Sequence, residues 1–274
     1  METNLSLGDT LSTVSFQNKT VLVTGASSGI GKSSCIEFAK RGANVILVAR
    51  RKEKLEELAS QLKKYNTKIL VCQCDISQKE QVEKMRTRAL DEFGRVDILV
   101  NNAGFAIWGS VSKLTIEEIE SQMATNYLGM VYCTKNFLPK MLELKSGHIV
   151  NVASVAASFG LPGIASYCAS KFAMLGFSEG LWHELKGTGV RITVVSPIMV
   201  KTEFFDNPSF KSMPKSSTAL SANTVAKAVV AAANSSRFEI IVPGIVRGAV
   251  WAKHTFPYLI NPLVGSAFKR QMRE

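Results

Sequence analysis

The chain has 274 residues, 46% of them hydrophobic, and a formal net charge of +11 at pH 7. A chain of this length can bury one substantial core, and α/β folds of this size commonly form a single domain. The basic residues are spread along the chain without a nucleic-acid-binding motif, which argues against a nucleic-acid partner and leaves a phosphorylated cofactor, a CoA-like carrier, an anionic membrane or plain solvation as explanations.

Residues 1–18 form an extension rich in Ser, Thr and Asn, without the basic start of a targeting signal or the apolar run of a membrane anchor. We therefore expect a cytoplasmic protein. From Lys19 onward, short Val-, Ile- and Leu-rich runs alternate with longer helical patterns. The runs are 20–23, 44–49, 68–74, 96–100, 148–152, 191–195 and 239–242. The helical patterns are 31–41, 52–65, 79–93, 116–144, 164–186 and 224–234.

Nearly continuous apolar runs are typical of parallel strands that are covered on both faces. Their alternation with helices predicts an α/β fold with a single doubly wound, Rossmann-type domain, a seven-stranded, mostly parallel sheet and helices on both faces. We place this domain at residues 19–243, with a loop over the substrate at 198–220 and a C-terminal extension at 244–274.

A glycine-rich segment, Thr24-Gly-Ala-Ser-Ser-Gly-Ile-Gly31, lies between the first strand and the first helix. Glycines at this position permit a tight turn and let backbone amides and the helix approach a pyrophosphate closely. An ordinary glycine turn is the alternative, but strand, spacing and helix all agree with a dinucleotide site. The predicted cofactor contacts here are Gly25, Ser27, Ser28, Gly29, Ile30 and Gly31.

Arg50 and Arg51 follow the second strand, where NAD-selective proteins place an Asp or Glu that accepts from the adenosine ribose. A guanidinium at this point suits a 2′-phosphate, so we predict NADP (NADPH) rather than NAD. The alternative is that both arginines merely begin a charged, solvated helix.

Tyr167 and Lys171 are four residues apart in a predicted helix, so their side chains share one face. A phenol must have its pKa lowered from about 10 to near 7, worth roughly 4 kcal/mol, to exchange protons readily at neutral pH. We expect the ammonium of Lys171, aided by an oxidised nicotinamide, to lower it. The pair is a weak signal alone, although Tyr167 is the only one of the five tyrosines that has it.

Together these motifs resemble the short-chain dehydrogenase/reductase family, in its branch with a TGxxxGxG turn and a YxxxK pair. The resemblance covers residues 19–242 and includes Asp75 after the third strand, the Asn-Asn-Ala-Gly run at 101–104, Asn126 and Ser154. Several ordered motifs at consistent intervals are far more specific than any one of them.

The resemblance implies a catalytic set of Asn126, Ser154, Tyr167 and Lys171. Tyr167 would protonate a carbonyl oxygen as hydride arrives from the nicotinamide, and Ser154 would hydrogen-bond the same substrate oxygen. Lys171 would lower the pKa of Tyr167 and hold the nicotinamide ribose. Asn126 would support a water linked to Lys171.

The resemblance also implies cofactor contacts beyond the glycine turn and the arginines. Asp75 and Ile76 would contact the adenine. Asn102 and Ala103 would line the floor under the cofactor, and Pro197 and Thr202 would lie on its nicotinamide side. The family usually has Gly after this proline, whereas the chain has Ile198; a β-branched residue adopts positive φ poorly, so we expect an altered loop path that weakens the case for Thr202.

Substrate and partners are less sharply indicated. Aromatic and Met side chains in 198–220 and near 105–108 and 159–161 favour a small hydrophobic carbonyl compound, such as a lipid, acyl or steroid-like ketone, although each is compatible with ordinary packing. Family resemblance implies a homodimer or homotetramer through the helices around Asn126 and Tyr167.

The tail at 244–274 combines aromatic and basic residues, and Pro257 and Pro262 argue against a spanning helix. We expect it to cover the pocket or a neighbouring subunit; peripheral contact with a membrane interface is the alternative.

Cysteine and histidine usage fits this assignment. The five cysteines contain no CxxC pair and mostly lie in apolar runs, which predicts buried, reduced thiols. The three histidines lack metal-ligand spacing, so we predict no metal. The predicted function is NADPH-dependent reduction of a carbonyl, with an NAD-linked alcohol dehydrogenase or a catalytically idle cofactor-binding regulator as alternatives.

Overall fold

The computed structural model describes residues 15–213 and 219–269, and a parallel sheet lies at its centre. The strands are β1 (Thr20–Thr24), β2 (Asn44–Ala49), β3 (Ile69–Gln73), β4 (Ile98–Asn101), β5 (Gly147–Val152), β6 (Val190–Pro197), β7 (Val200–Lys201), β8 (Leu220–Ser221) and β9 (Glu239–Val242). Seven of them form one sheet in the order β3-β2-β1-β4-β5-β6-β9. All its pairings are parallel. The predicted fold class is confirmed, and the sheet is entirely rather than mostly parallel.

Helices cover both faces of this sheet. They are α1 (Gly29–Ala39), α2 (Lys52–Leu62), α3 (Lys79–Phe93), α4 (Ile116–Met123), α5 (Gly129–Glu143), α6 (Ala165–Glu184), α7 (Ala222–Ala232), α8 (Val246–Thr255) and α9 (Pro257–Lys269). One buried cluster joins the sheet to α1, α2 and α7, and a second joins it to α3, α5 and α6.

The central strand β1 shows why its sequence is continuously apolar. Val21 and Val23 pack into the first cluster, whereas Leu22, between them, packs into the second. All three are fully buried. Successive side chains of a strand point to opposite faces, so a sheet that is covered on both sides requires apolar residues at every position.

The site lies where the winding of the sheet changes direction. The chain builds β2 and β3 on one side of β1, then crosses to build β4, β5 and β6 on the other. Such a switch point opens a crevice beyond the carboxyl ends of the strands. The turns that follow β1, β2, β4 and β5 therefore converge at one edge.

A second, two-stranded sheet closes the base of the 198–220 loop. Val200 pairs with Leu220 and Lys201 with Ser221, in parallel. Between these strands the chain forms two short 3₁₀ helices, Glu203–Asp206 and Pro208–Ser212. Residues 214–218 of the predicted loop lie outside the described residues.

The C-terminal extension forms α8 and α9, which the sequence reasoning left without secondary structure. In residues 15–213 and 219–269, none of the helices has the length and hydrophobicity needed to cross a lipid bilayer. All five cysteines are buried and free, as predicted. Residues 1–14 of the N-terminal extension and residues 270–274 lie outside the described part of the chain.

Candidate active site

The glycine turn is locked onto the end of β4 by polar contacts. The Thr24 hydroxyl accepts from the backbone amides of Asn102 and Ala103, each at 3.0 Å, and the Asn102 side chain donates to the Thr24 carbonyl at 2.9 Å. A Cβ on Gly25, whose φ is +67°, would lie 2.8 Å from Ala103 Cα. The turn therefore has no room for a side chain at this point.

Gly29 and Gly31 serve different purposes. Gly29 has a φ of +53° and faces Thr202, whose Cγ2 would lie 2.9 Å from a Cβ at that position. A Cβ on Gly31 would lie 2.2 Å from the Gly25 carbonyl oxygen. Gly31 therefore packs directly against the turn, and its predicted contact with a cofactor stays a prediction.

Arg51, rather than Arg50, is fixed over this turn. Its Nη2 lies 2.9 Å from the Ser27 hydroxyl and 3.1 Å from the Ser28 hydroxyl. Its Nη1 donates to Glu203 at 2.8 Å. The side chain of Arg50 lines the same cavity, and its backbone carbonyl accepts from Gln73 at 3.1 Å. The sequence reasoning missed Glu203, because a lone acidic residue in a loop carries no motif.

Asp75 and Ile76 follow β3 at the edge of the cavity. The Asp75 carboxylate accepts from the amide and the hydroxyl of Ser77, at 3.0 and 2.7 Å. Its side chain thereby organises the turn into α3. Both Asp75 and Ile76 line the cavity, together with Asn102, Ala103 and Pro197.

Ser154, Tyr167 and Lys171 meet at the carboxyl end of β5. The Ser154 hydroxyl lies near enough to the Tyr167 hydroxyl to lower its pKa, and it donates to the Pro197 carbonyl at 3.4 Å. Lys171 is 3% exposed, and its ammonium donates to the Val152 carbonyl at 3.0 Å. Its Nζ lies 5.7 Å from the centre of the Tyr167 ring. All three line the cavity that the glycine turn borders.

Burial dominates the proton affinities of this pair. It raises the pKa of Tyr167, and the nearby Ser154 hydroxyl offsets only part of that effect. Burial also lowers the pKa of Lys171 from 10.5 to about 8. Burial is the largest influence on this phenol, and the expected lowering of its pKa by Lys171 together with an oxidised nicotinamide stays a prediction.

Asn126 lies behind the cavity and not on its surface. A π-helical turn, Ala124–Leu128, joins α4 to α5 and carries this fully buried side chain. Its Nδ2 donates to the Phe105 carbonyl and the Ser170 hydroxyl, both at 2.9 Å, and its Oδ1 accepts from the Phe105 amide at 3.0 Å. These contacts hold the loop after β4, and the support of a water linked to Lys171 by Asn126 stays a prediction.

The loop after β6 keeps Thr202 at the site despite Ile198. The Ile198 amide donates to the Val242 carbonyl at 3.0 Å, and its φ is not positive. Thr202 lines the cavity beside Gly29. The expected change in loop path therefore does not remove Thr202 from the crevice.

Aromatic side chains close the other half of the cavity, whose volume is about 710 Å³. The Phe204 ring packs edge-on against Tyr167, with ring centres 5.6 Å apart. Phe210 packs against both Phe204 and Trp108. The apolar lining further includes Phe105, Phe159, Leu161, Met199, Phe205 and Met213.

The C-terminal helices lie against one wall of this cavity. The Lys253 ammonium lies 5.9 Å from the Phe159 ring centre and 5.6 Å from that of Phe172. Phe159 lines the cavity, so α8 supports the substrate half from outside. Large apolar side chains on the outer side of α8 and α9 are exposed, among them Trp251, Phe256, Tyr258, Leu259 and Leu263.

A dinucleotide-type turn and a Ser, Tyr and Lys set in one crevice of a doubly wound sheet define an α/β oxidoreductase. The family model for short chain dehydrogenases matches residues 19–211. The chain belongs to this family of oxidoreductases.

Two curated relatives illustrate the similarity. Human 17-beta-hydroxysteroid dehydrogenase 13 is 35% identical over 229 residues, which span 82% of this chain and 75% of that protein. NADP-dependent 3-hydroxy acid dehydrogenase YdfG of Escherichia coli O6:H1 is 35% identical over 242 residues, which span 88% of this chain and 91% of that protein.

Solved structures with either cofactor are similar to the chain. A short chain dehydrogenase/reductase from Burkholderia phymatum in complex with NAD has a TM-score of 0.82 at 26% identity, covering 90% of this chain and 96% of that one. A short-chain dehydrogenase from Sphingobium yanoikuyae in complex with NADPH has a TM-score of 0.78 at 28% identity, covering 88% and 95%. The choice between NAD and NADP therefore has to be argued from this chain's own residues.

Proposed function

We propose that the protein is an NADPH-dependent reductase of hydrophobic carbonyl compounds, working reversibly, in which Tyr167 supplies the proton. The observation that carries the proposal is the meeting of Ser154, Tyr167 and Lys171 in the crevice that the glycine turn borders. A catalytically idle cofactor-binding regulator is disfavoured, because it has no need to keep these side chains together.

The residues of the crevice fit a dinucleotide. Gly25 and Gly29 line the cavity and have φ angles of +67° and +53°, a conformation that residues with side chains rarely adopt, so a phosphate group can approach the backbone of this turn. The first turn of α1 has no side-chain cap, which leaves its amides facing the crevice. When bound, the nicotinamide supplies the hydride.

Tyr167 is suited to donate a proton to the substrate oxygen. Burial raises its pKa, so the phenol is protonated at neutral pH. Ser154, which lines the cavity beside Tyr167, is placed to donate to the same oxygen and to stabilise negative charge that develops there. Lys171 is buried beside the Tyr167 ring and holds an ammonium against the Val152 carbonyl, where it can donate to a ribose hydroxyl.

NADPH is favoured over NADH by the cations and hydroxyls around the end of β2. Arg51 lies within hydrogen-bond distance of Ser27 and Ser28, and Arg50 lines the same cavity. NAD-selective proteins place an Asp or Glu at this position to accept from the adenosine ribose, whereas this chain has arginine. A guanidinium group can bind a phosphate through two parallel hydrogen bonds.

The substrate is proposed to be a small hydrophobic ketone or aldehyde. Aromatic and Met side chains line the half of the cavity next to Tyr167. The name of one relative refers to a hydroxysteroid and that of another to a 3-hydroxy acid, so secondary alcohols of quite different polarity occur among similar proteins. The apolar lining favours the less polar kind.

Assembly is proposed to be homodimeric or homotetrameric through the long helices. Ile116, Leu128 and Leu142 are exposed on α4, the π turn and α5, and Phe172 is exposed on α6. Large exposed apolar side chains are frequent at subunit contacts.

The function is tested by following NADPH oxidation with panels of acyl, steroid-like and small aryl ketones. We expect turnover with at least one apolar ketone, a strong preference for NADPH over NADH, and loss of that preference in Arg51→Asp. Arg50→Asp is the matched control, expected to have the smaller effect. Equal use of both cofactors by the unaltered protein would favour the NAD-linked alcohol dehydrogenase instead.

A further inference from the structure

We infer that Glu203 is an internal competitor for the 2′-phosphate of the cofactor, and that Lys54 is the second cation of that phosphate subsite. The inference rests on the proposed NADPH function. Glu203 bridges two cations: one carboxylate oxygen lies 2.8 Å from Arg51 Nη1 and the other 2.8 Å from Lys54 Nζ. A phosphate would bind these cations in the same way, with separate oxygens that accept from each of them.

Arg51, Ser27, Ser28 and Glu203 line one polar corner of the cavity, and Lys54 reaches Glu203 from just outside it. Arg51 contacts Ser27 through Nε and Nη2, Ser28 through Nη2, and Glu203 through Nη1. Lys54 lies one helical turn beyond Arg51, on α2, so both cations point to the same side. A phosphate that binds Arg51 and the two serine hydroxyls would therefore arrive beside the Glu203 carboxylate.

Charge makes the two occupants exclusive. Hydrogen bonds from Lys54 and Arg51 lower the pKa of Glu203, so the carboxylate is ionised at neutral pH. A phosphate monoester carries roughly −1.5 to −2 charges at that pH. Two anions cannot share the same pair of cations without repulsion, so the carboxylate must withdraw when the phosphate binds. NADH, whose adenosine lacks the 2′-phosphate, does not compete with Glu203 for these cations.

The same carboxylate belongs to the element that touches Tyr167. Glu203 is the first residue of the 3₁₀ helix Glu203–Asp206, which Thr202 caps by accepting from the Phe204 amide at 3.3 Å. Phe204 in turn packs against the Tyr167 ring. Displacement of Glu203 by phosphate would thus release the first residue of this 3₁₀ helix, which lines the substrate half of the cavity. The position of Phe204 would then depend on whether NADPH or NADH is bound.

Calorimetric affinities of NADPH, NADH and adenosine 2′,5′-bisphosphate test the inference. Glu203→Gln should bind NADPH and the bisphosphate about threefold more tightly, the size expected for an exposed ion pair, and NADH unchanged. Lys54→Gln should bind both phosphorylated probes about threefold more weakly. Glu203→Ala repeats the first comparison without an amide in place of the carboxylate.

Matched controls separate these effects from net charge. Asp206→Asn removes an exposed acid from the same 3₁₀ helix, and Lys52→Gln removes a cation whose nearest acid is Glu56, 3.6 Å away. Both should leave the affinities unchanged. Glu203 variants with unchanged or weaker affinity for the phosphorylated probes overturn its role as a competitor, and weaker affinity would mean that it aligns Arg51 instead.

Failure of the inference and failure of the proposed function give different results. If the unaltered protein binds NADPH no better than NADH and Arg51→Ala changes neither affinity, the assignment of NADPH as the cofactor is wrong. If Arg51→Ala abolishes the phosphate preference while Glu203→Gln leaves it untouched, only the role of Glu203 falls.

Discussion

The hydroxyl of Tyr167 can be removed without disturbing the packing of its ring. Phe keeps the edge-on contact with Phe204, while the proton and the hydroxyl beside Ser154 are lost. We expect Tyr167→Phe to lower the rate of reduction by about 10²–10⁴-fold, the usual contribution of general acid catalysis. NADPH affinity should change little. Single-turnover kinetics and calorimetry check both points, and a variant that keeps full activity would refute the acid role.

Lys171 makes folding stability depend on pH with a definite sign. Burial lowers its pKa from 10.5 to about 8, so between these pH values the unfolded chain binds more protons at this site than the folded chain. The free energy of unfolding therefore rises with pH across this window, by about 3 kcal/mol in total. We expect this rise in urea denaturation of the unaltered protein, measured relative to Lys171→Met.

The comparison with Lys171→Met is needed because other groups titrate in the same range. Burial raises the pKa of Cys35, Cys133 and the other buried thiols, which makes stability fall with rising pH. Subtracting the Lys171→Met curve cancels that contribution. A difference that stays flat from pH 8 to 10.5 would show that Lys171 is not held with a lowered pKa.

Single residues were predictable where a motif fixes both type and spacing. Tyr167, Lys171 and Ser154 were placed correctly in one crevice, because their spacing along a helix and after a strand determines where they lie. The sequence could not show which of Arg50 and Arg51 turns toward the glycine turn, since neighbouring side chains at a strand end diverge. The partnership of Arg51 with Glu203 joins residues 152 positions apart, which no local pattern encodes.

At the scale of elements, the junction between the glycine turn and α1 depends on the absence of a side chain at Gly31. A Cβ there would lie 2.2 Å from the Gly25 carbonyl oxygen and 2.6 Å from Asn102 Nδ2, so the backbone would have to move. We expect Gly31→Ala to lower the free energy of unfolding by about 1–3 kcal/mol and to weaken NADPH binding.

Gly176 offers a matched control for that substitution. It lies inside α6, and a Cβ there meets no heavy atom within 4 Å. Gly176→Ala should stabilise the protein by about 0.5–1 kcal/mol, because Ala loses less backbone entropy than Gly in a helix. Urea denaturation of both variants checks the pair. Equal effects of the two substitutions would contradict the close packing around Gly31.

Elements with a strong period were predictable and irregular ones were not. All seven strands of the main sheet coincide with predicted apolar runs to within a few residues. The two-residue strands β7 and β8 are too short to carry a period. The π turn that buries Asn126 was not predicted, because its five residues are too few to show a period of their own.

Helix α9 was also missed, because its prolines were weighed only as an argument against a membrane-spanning helix. Pro257 begins the helix, where the missing amide hydrogen costs nothing. Pro262 lies inside it and is accommodated with the loss of one hydrogen bond. The argument from proline against a spanning helix therefore did not extend to a shorter helix.

At the scale of the whole molecule, the charge of +11 and the exposed apolar side chains of α8 and α9 bear on what covers the C-terminal segment. Tyr258 is 93% exposed and Leu259 is 69% exposed, which is unusual for the surface of an isolated subunit. Lys253 meanwhile packs on rings at the cavity wall, which ties this segment to the substrate half.

These contacts favour a subunit or pocket cover over a membrane contact, and the two can be separated with a chain truncated after Pro243. We expect the full-length protein to remain in the soluble fraction during flotation with anionic vesicles.

Truncation should raise the KM for apolar ketones, because the outer support of Phe159 is lost, and should lower the oligomer mass measured by light scattering. Lys253→Ala, which removes only the cation from those rings, should show the KM effect without the change in mass. Flotation of the full-length chain together with an unchanged mass on truncation would instead assign the exposed face of α8 and α9 to a lipid surface.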